Sequence, residues 1–194
     1  MTAKFNPDKH HRQSLRLRTW DYTTSGGYFI TLCTYQRENL FADVTLRELV
    51  EHTWQNIPQQ PHAEQATLDE WVVMPNHLHG ILMLAEIEPN DESDIKPNNH
   101  PSELPRSYPA RGVKSSSVGA IIGNFKSLVT RRANNLWRTS GEKVWQRGYY
   151  DRIIHNEREL TDIRQYIRDN PQRWEDDEEN LDVVLAKMRL VTDK

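Results

Sequence analysis

Pro75-Asn76 separates two runs that both read as β-strands, Leu68 to Met74 and His77 to Leu84. A turn signal between two such runs favours an antiparallel hairpin, so any sheet this chain builds has these strands as neighbours. The returning strand opens His77-Leu78-His79-Gly80. Alternate residues of a strand share a face, which sets His77 and His79 on one side and Leu78, Leu82 and Leu84 on the other. One face is therefore core. The other carries two imidazoles able to close on one divalent cation, near a sheet end where a substrate can approach.

The rest of the pattern surrounds that hairpin. Residues 1–27 are polar and basic and end in Thr24-Ser25-Gly26-Gly27, which predicts a flexible arm and a turn. Tyr28 to Tyr35 is rich in aromatic and β-branched residues and predicts a first strand. Thr45-Leu46-Arg47-Glu48 has capping-box spacing and opens a helix with Leu46, Leu49, Val50, Trp54 and Ile57 at helical period, closed by Pro58. Residues 86–116 are rich in Pro, Asn, Ser and acids and predict a mobile inserted loop. A long amphipathic helix follows over residues 118–138. Val144 to Ile154 reads as a strand. Asn156 caps a final helix with Leu160, Ile163 and Ile167 on its apolar stripe and a stop at Asn170-Pro171. The order β-α-β-β-α-β-α suits an α+β fold with a ferredoxin-like antiparallel sheet, helices on one face and an accessible second face. Residues 28–174 form the single expected domain, followed by an acidic tail at 175–194 with a short helix-like run from Leu181 to Leu190.

Charge distribution says more than the net of -3. From Arg106 to Arg147 nine Lys or Arg residues face one acid, Glu142, and the N-terminal arm adds Lys4, Lys9, Arg12, Arg16 and Arg18 against Asp8 and Asp21. The acids concentrate at Glu175 to Glu179. A near-neutral total thus combines a basic surface with an acidic tail. A single cysteine, Cys33, excludes an intrachain disulfide and a cysteine zinc knot. No apolar run reaches the length of a membrane span, and no apolar leader opens the chain, so a cytoplasmic setting is expected.

On the final helix Tyr166 and Asn170 are four residues apart and share a face at the margin of the apolar stripe. Asn170 can offer a carbonyl oxygen to a hard cation, Mg²⁺ or Mn²⁺. With His77 and His79 it makes a three-ligand metal site with positions left for phosphate oxygen and water. Tyr166 is then the candidate catalytic nucleophile on a phosphodiester, with Tyr149 or Tyr150 as the fallback. Nucleic-acid contacts are expected from Arg16 and Arg18 on the arm, and from Lys126, Arg131 and Arg132 on the long helix. Arg147 and Arg152 are further candidates, and Trp145 and Tyr149 are candidate stacking platforms for unpaired bases.

Three ordered motifs carry a resemblance: Met74-Pro75-Asn76-His77-Leu78-His79-Gly80, Trp145-Gln146-Arg147-Gly148-Tyr149-Tyr150-Asp151-Arg152 and Tyr166-Ile167-Arg168-Asp169-Asn170-Pro171. Together they resemble the single-tyrosine HUH transposases, most closely the REP-associated tyrosine transposase branch, over about Leu15 to Trp174. The resemblance implies a ferredoxin-like catalytic domain and a metal held by His77 and His79. It also implies that Tyr166 forms a 5′-phosphotyrosine link to single-stranded DNA. DNA hairpins, REP-like palindromes with a short guide sequence, are the implied partners, bound by a monomer or a homodimer. Asn170 takes the place of a ligand that is glutamine in many relatives, with His155 as reserve. Two other readings compete: a catalytically silent hairpin or single-stranded nucleic-acid-binding regulator, and a zinc hydrolase. The second lacks a motif-placed third zinc ligand.

Overall fold

A computed structural model of the chain describes residues 20–86 and 116–176. Arg16 and Arg18, most of the expected loop at 86–116 and the tail beyond 176 lie outside the described residues. The elements are β1 (Gly26–Cys33), α1 (Val44–Gln55), β2 (Ala66–Met74), β3 (His77–Leu84), α2 (Val118–Trp137), β4 (Tyr150–Ile154) and α3 (Glu157–Asp169). A 3₁₀ turn, Asn170–Asp176, follows α3. The strands form one antiparallel sheet in the order β2-β3-β1-β4, which is the ferredoxin-like arrangement.

Period-two alternation divides the side chains between two layers. Tyr28, Ile30 and Leu32 of β1 and Leu78 and Leu82 of β3 join Leu46, Val50 and Trp54 of α1 and Ile122, Phe125 and Val129 of α2 in the main core. Phe29, Ile81, Leu160 and Ile167 form a second, smaller core on the opposite face. The expected open second face is therefore partly closed: α3 lies across it, because its apolar stripe has Phe29 and Ile81 to cover.

Gly80 shows how tightly the main layer is packed. A Cβ there would stand 2.5 Å from Trp54 Cζ2, so the glycine is what lets the buried indole lie flat on β3.

Local chemistry corrects several boundaries. Asp43, not the Thr45 capping box, starts α1, its carboxylate accepting from Leu46 N at 2.9 Å. Strand β4 starts at Tyr150 rather than Val144. Before it the chain meets the end of β1 and the residues just beyond through a lone bridge between Thr34 and Trp145 and backbone bonds from Gln146 N to Cys33 O and from Tyr35 N to Val144 O, and Gly148 sits at φ +75°, outside strand geometry. The segment from Trp20 is tied down rather than part of a free arm. Trp20 Nε1 donates to Tyr28 Oη, Tyr28 Oη donates to Thr24 O, and Val118 N donates to Tyr22 O. Asn156 caps α3 as expected, accepting from Glu159 N at 2.9 Å.

Candidate active site

His77 and His79 meet on the α3 face of β3 with ring centroids 4.4 Å apart. Both are buried, His77 completely. Each ring is held through Nδ1. His77 Nδ1 lies 2.8 Å from Asn76 Oδ1, and Asn76 Nδ2 donates to Arg37 O at 3.3 Å, which fixes the amide with its oxygen towards the ring. His77 Nδ1 therefore carries the proton and Nε2 the lone pair. His79 Nδ1 lies 2.8 Å from Thr31 Oγ1, the residue directly opposite on β1. Phe29, two residues before Thr31 on the same face, stacks on the His79 ring at 5.3 Å. Orienting contacts to the far nitrogen are what metal-binding imidazoles need.

The loop that aims Arg37 O is itself unusual. Gln36 and Arg37 are left-handed at φ +53° and +57°, a conformation that non-glycine residues adopt at a cost of about 1 kcal/mol or more each. Thr34 braces it, its hydroxyl bonded to Glu38 O and Asn76 O. Burial pushes His77 well below the usual histidine range, helped by neighbouring His79 and Arg37, while the Asn170 side chain opposes the shift. The ring is neutral at neutral pH, as a ligand must be.

α3 brings the remaining groups. Tyr166 is exposed, and its hydroxyl lies 3.3 Å from His79 Nε2. Asn170 is buried against His77, with Oδ1 enclosed and without a hydrogen bond of good geometry among the described residues. Trp174 of the following turn covers His77, ring centroids 6.0 Å apart. Among the described residues no three His, Cys, Asp or Glu side chains cluster to hold a metal. The donors that do converge are two imidazoles and one amide oxygen. Two oriented rings and a buried carbonyl without a good donor fit a divalent cation whose other positions go to water and phosphate.

A β-bulge sets the height of α3. Leu68 pairs with Leu82 but Trp71 with Gly80, so β2 has one extra residue opposite Ile81. Asp69 and Glu70 both turn towards α3 there, where a regular strand would point them apart. Arg164 grips Asp69 with Nε to Oδ1 at 2.8 Å and Nη2 to Oδ2 at 2.5 Å. Arg168 grips Glu70 with 2.9 Å and 2.6 Å contacts. The hydrogen bond from Arg164 holds the Asp69 carboxyl below its ordinary range. Tyr166 lies between the two clamps in sequence. A cleft of about 540 Å³, walled by Phe29, Tyr150, Ile163 and Arg152, opens beside it.

The structure thus brings together His77, His79, Tyr166 and Asn170, and separates the other candidates. His155 lies at the opposite end of α3, about 20 Å away by helical rise, and is no substitute ligand. Tyr150 packs edge-on to Phe29, and Tyr149 faces the main core. Trp145 is 8 % exposed and wedged between Phe41 and Phe125, so it is a core residue rather than a stacking platform. Lys126 Nζ donates to Gln146 O and Gly148 O, so its ammonium holds a loop instead of standing open to phosphate, and burial lowers its pKa to about 8. Arg132 donates to Thr53 Oγ1, and Arg152 pairs with Glu159. Arg131 and Arg147 stand exposed. Sequence reasoning missed Thr31, Asn76 and the Arg37 carbonyl. Thr31 was open to discovery from strand pairing alone, since it shares a face with Phe29 and lies opposite His79.

A protein of Haemophilus influenzae, described as uncharacterized, is 36 % identical over 188 residues, covering 92 % of this chain and 98 % of its own. The two chains belong to one family. No family model matches the chain. Among solved structures, a REP-associated tyrosine transposase bound to a REP hairpin aligns with a TM-score of 0.54 at 17 % identity, covering 79 % of this chain and 71 % of its own. That likeness establishes a shared fold. Among the described residues no helix is long and apolar enough to cross a membrane.

Proposed function

We propose that this chain is a transposase-like single-stranded DNA endonuclease and strand transferase of the single-tyrosine HUH kind, on the REP-associated branch. In this reading it recognises DNA hairpins and works in the cytoplasm. The observation that carries it is the meeting of Tyr166 with the imidazole pair, its hydroxyl 3.3 Å from His79 Nε2. The fold shared with a hairpin-bound tyrosine transposase supports the same reading.

His77, His79 and the Asn170 carbonyl would hold Mg²⁺ or Mn²⁺, which supplies charge stabilisation to phosphate oxygens. The chain's own residues do the rest. Asn76 and Thr31 hold the two rings by Nδ1. The Arg164–Asp69 and Arg168–Glu70 clamps fix α3, and with it the phenol. Tyr166 Oη attacks phosphorus and loses its proton to solvent. The P–O3′ bond breaks, the 3′-oxygen leaves and takes a proton from water, and the 5′-phosphate stays on Oη. No bond energy is lost to hydrolysis, so a 3′-hydroxyl can reverse the step and rejoin the strand.

The test is a denaturing gel of the protein with labelled hairpin DNA from its genomic flanks in Mn²⁺. A covalent band that vanishes in Tyr166→Phe is expected. Intact native-gel binding with no covalent band from the unmodified protein would instead favour a silent regulator.

A further inference from the structure

Four polar side chains follow one another along α3 and its cap. Arg158, Asp162, Tyr166 and Asn170 are each four residues apart, so neighbours stand one above another, with about 6 Å of helical rise between them. Asn170 and Tyr166 serve the site described above. Asp162 and Arg158, towards the helix start, take no part in it. They border the cleft of about 540 Å³ that opens beside the tyrosine.

The cleft is aromatic on one side and charged on the other. Phe29 is buried at its floor, and Tyr150 and Tyr166 meet the Phe29 ring at 72° and 82°. Tyr150 is half-buried and Tyr166 exposed, so a planar base can stack on either ring. On the helix side Arg158 and Asp162 are both exposed. Among the described residues neither side chain makes an ion pair. They do not pair with each other, because a cation four residues before an anion is the weaker order on a helix. Glu159, by contrast, is committed to Arg152 and to the His155 N–H. The cleft therefore offers stacking rings, one open acceptor and one open cation.

Attack geometry decides which part of a strand reaches it. The attacking and leaving oxygens of an in-line displacement lie on opposite sides of phosphorus. The 3′-oxygen therefore departs away from Tyr166, while the nucleoside on the 5′-oxygen stays tethered to Oη through its phosphate. Tyr166 is itself a wall of the cleft, so the tethered nucleoside lies at its mouth. An ionised carboxylate only accepts hydrogen bonds. Asp162 thus reads an N–H on the Watson–Crick edge of a base, and that edge is free only when the base is unpaired. Arg158, about 6 Å further along α3, can meet the phosphate that follows.

We propose that this cleft holds the unpaired base of the nucleotide whose 5′-phosphate Tyr166 takes, with Tyr150 stacking on it, Asp162 reading its edge and Arg158 on the next phosphate. The assignment rests on the strand-transfer reading above and deepens it. It puts a choice of base at the cut itself. It also keeps the severed 5′ end in place until a 3′-hydroxyl arrives, as rejoining requires.

The experiment times covalent capture of labelled DNA by the full chain in Mn²⁺, after the cleaved phosphate has been mapped from the released 3′-hydroxyl fragment. Strands then carry an abasic site, or each of the four bases, at the nucleotide just 3′ or just 5′ of that phosphate. The unmodified protein should capture the strand with the 3′-side abasic site about tenfold or more slowly than the intact strand. This comparison needs no variant, so it does not depend on a variant's folding. Asp162→Asn, whose amide donates as well as accepts, should change the relative rates among the four 3′-side bases by about threefold or more, and leave the 5′-side preference as it was. Arg158→Ala should lose about one unit of salt slope in single-strand binding. Thermal melts of both variants should match the unmodified protein, since both side chains are exposed. Equal capture of abasic and intact strands on the 3′ side overturns the proposal. So does an Asp162→Asn protein whose preference is unchanged, or changed equally on both sides. Capture that vanishes in Tyr166→Phe but ignores the 3′-side base refutes the cleft alone. Capture of no strand at all refutes strand transfer and the cleft's assignment with it.

Discussion

Gly80→Ala should destabilise the protein, although alanine is the better residue for most extended backbone. The added Cβ would lie 2.5 Å from Trp54 Cζ2 and 3.1 Å and 3.2 Å from two further ring atoms. The indole cannot retreat: it is fully buried and packed edge-on to Phe125 at 5.1 Å. The strand cannot bow away either, since β3 is hydrogen-bonded to β1 on one side and β2 on the other. Overpacking of this kind costs about 1–3 kcal/mol. Reduced freedom of the unfolded chain returns about 0.4–1 kcal/mol. A contact as short as 2.5 Å puts the overpacking at the upper end of its range, so the net is a loss of about 2 kcal/mol, or a fall in Tm of about 4–8 °C for a chain of this size. Urea denaturation followed by circular dichroism measures it. The decisive comparison is a cycle with Trp54→Phe, which opens the contested space. In that background the cost of Gly80→Ala should shrink by about 1 kcal/mol or more. An alanine variant as stable as the parent, or a cycle without coupling, would refute the steric account.

Arg164→Ala and Asp69→Asn should each speed amide hydrogen exchange in α3 while leaving β1–β3 protected, and should slow covalent capture more than they weaken DNA binding; equal protection in α3 would show that the clamp does not hold the helix. In metal-free protein, stability should fall as pH drops below about 6.5, because His77 is held neutral in the fold and the unfolded chain binds more protons. Stability rises with pH through that window, and His77→Gln should flatten the dependence of the urea midpoint between pH about 7.5 and about 5.5. Lys126→Ala should cost about 1–3 kcal/mol, since two carbonyls lose a charged donor, and should leave the 144–149 segment open to proteolysis. If Lys126 instead contacted phosphate directly, stability would hold and the salt slope alone would fall.

The site shows where sequence reading succeeds. His77 and His79 were placed together by strand periodicity, which is a local rule of covalent geometry. Tyr166 and Asn170 were placed together by helical periodicity for the same reason. Trp145 and Lys126 were misread because an aromatic or a cation looks the same in sequence whether it faces solvent or another element. Only packing against Phe41 and Phe125, or against two loop carbonyls, decides between them.

By itself the sequence determined the elements, the β2-β3 hairpin, the face shared by the histidines and the helix that carries the tyrosine. These follow from near-neighbour periodicity, capping and turn chemistry. The tertiary structure decided which face α3 covers, the bulge that turns Asp69 and Glu70 towards it, and the Thr31 and Asn76 contacts that orient the rings. Thr31 reaches His79, the Arg37 carbonyl fixes the Asn76 amide that holds His77, and Arg164 reaches Asp69, all across long stretches of chain; their geometry is set by strand register and by burial shared between elements, which no single stretch of sequence contains.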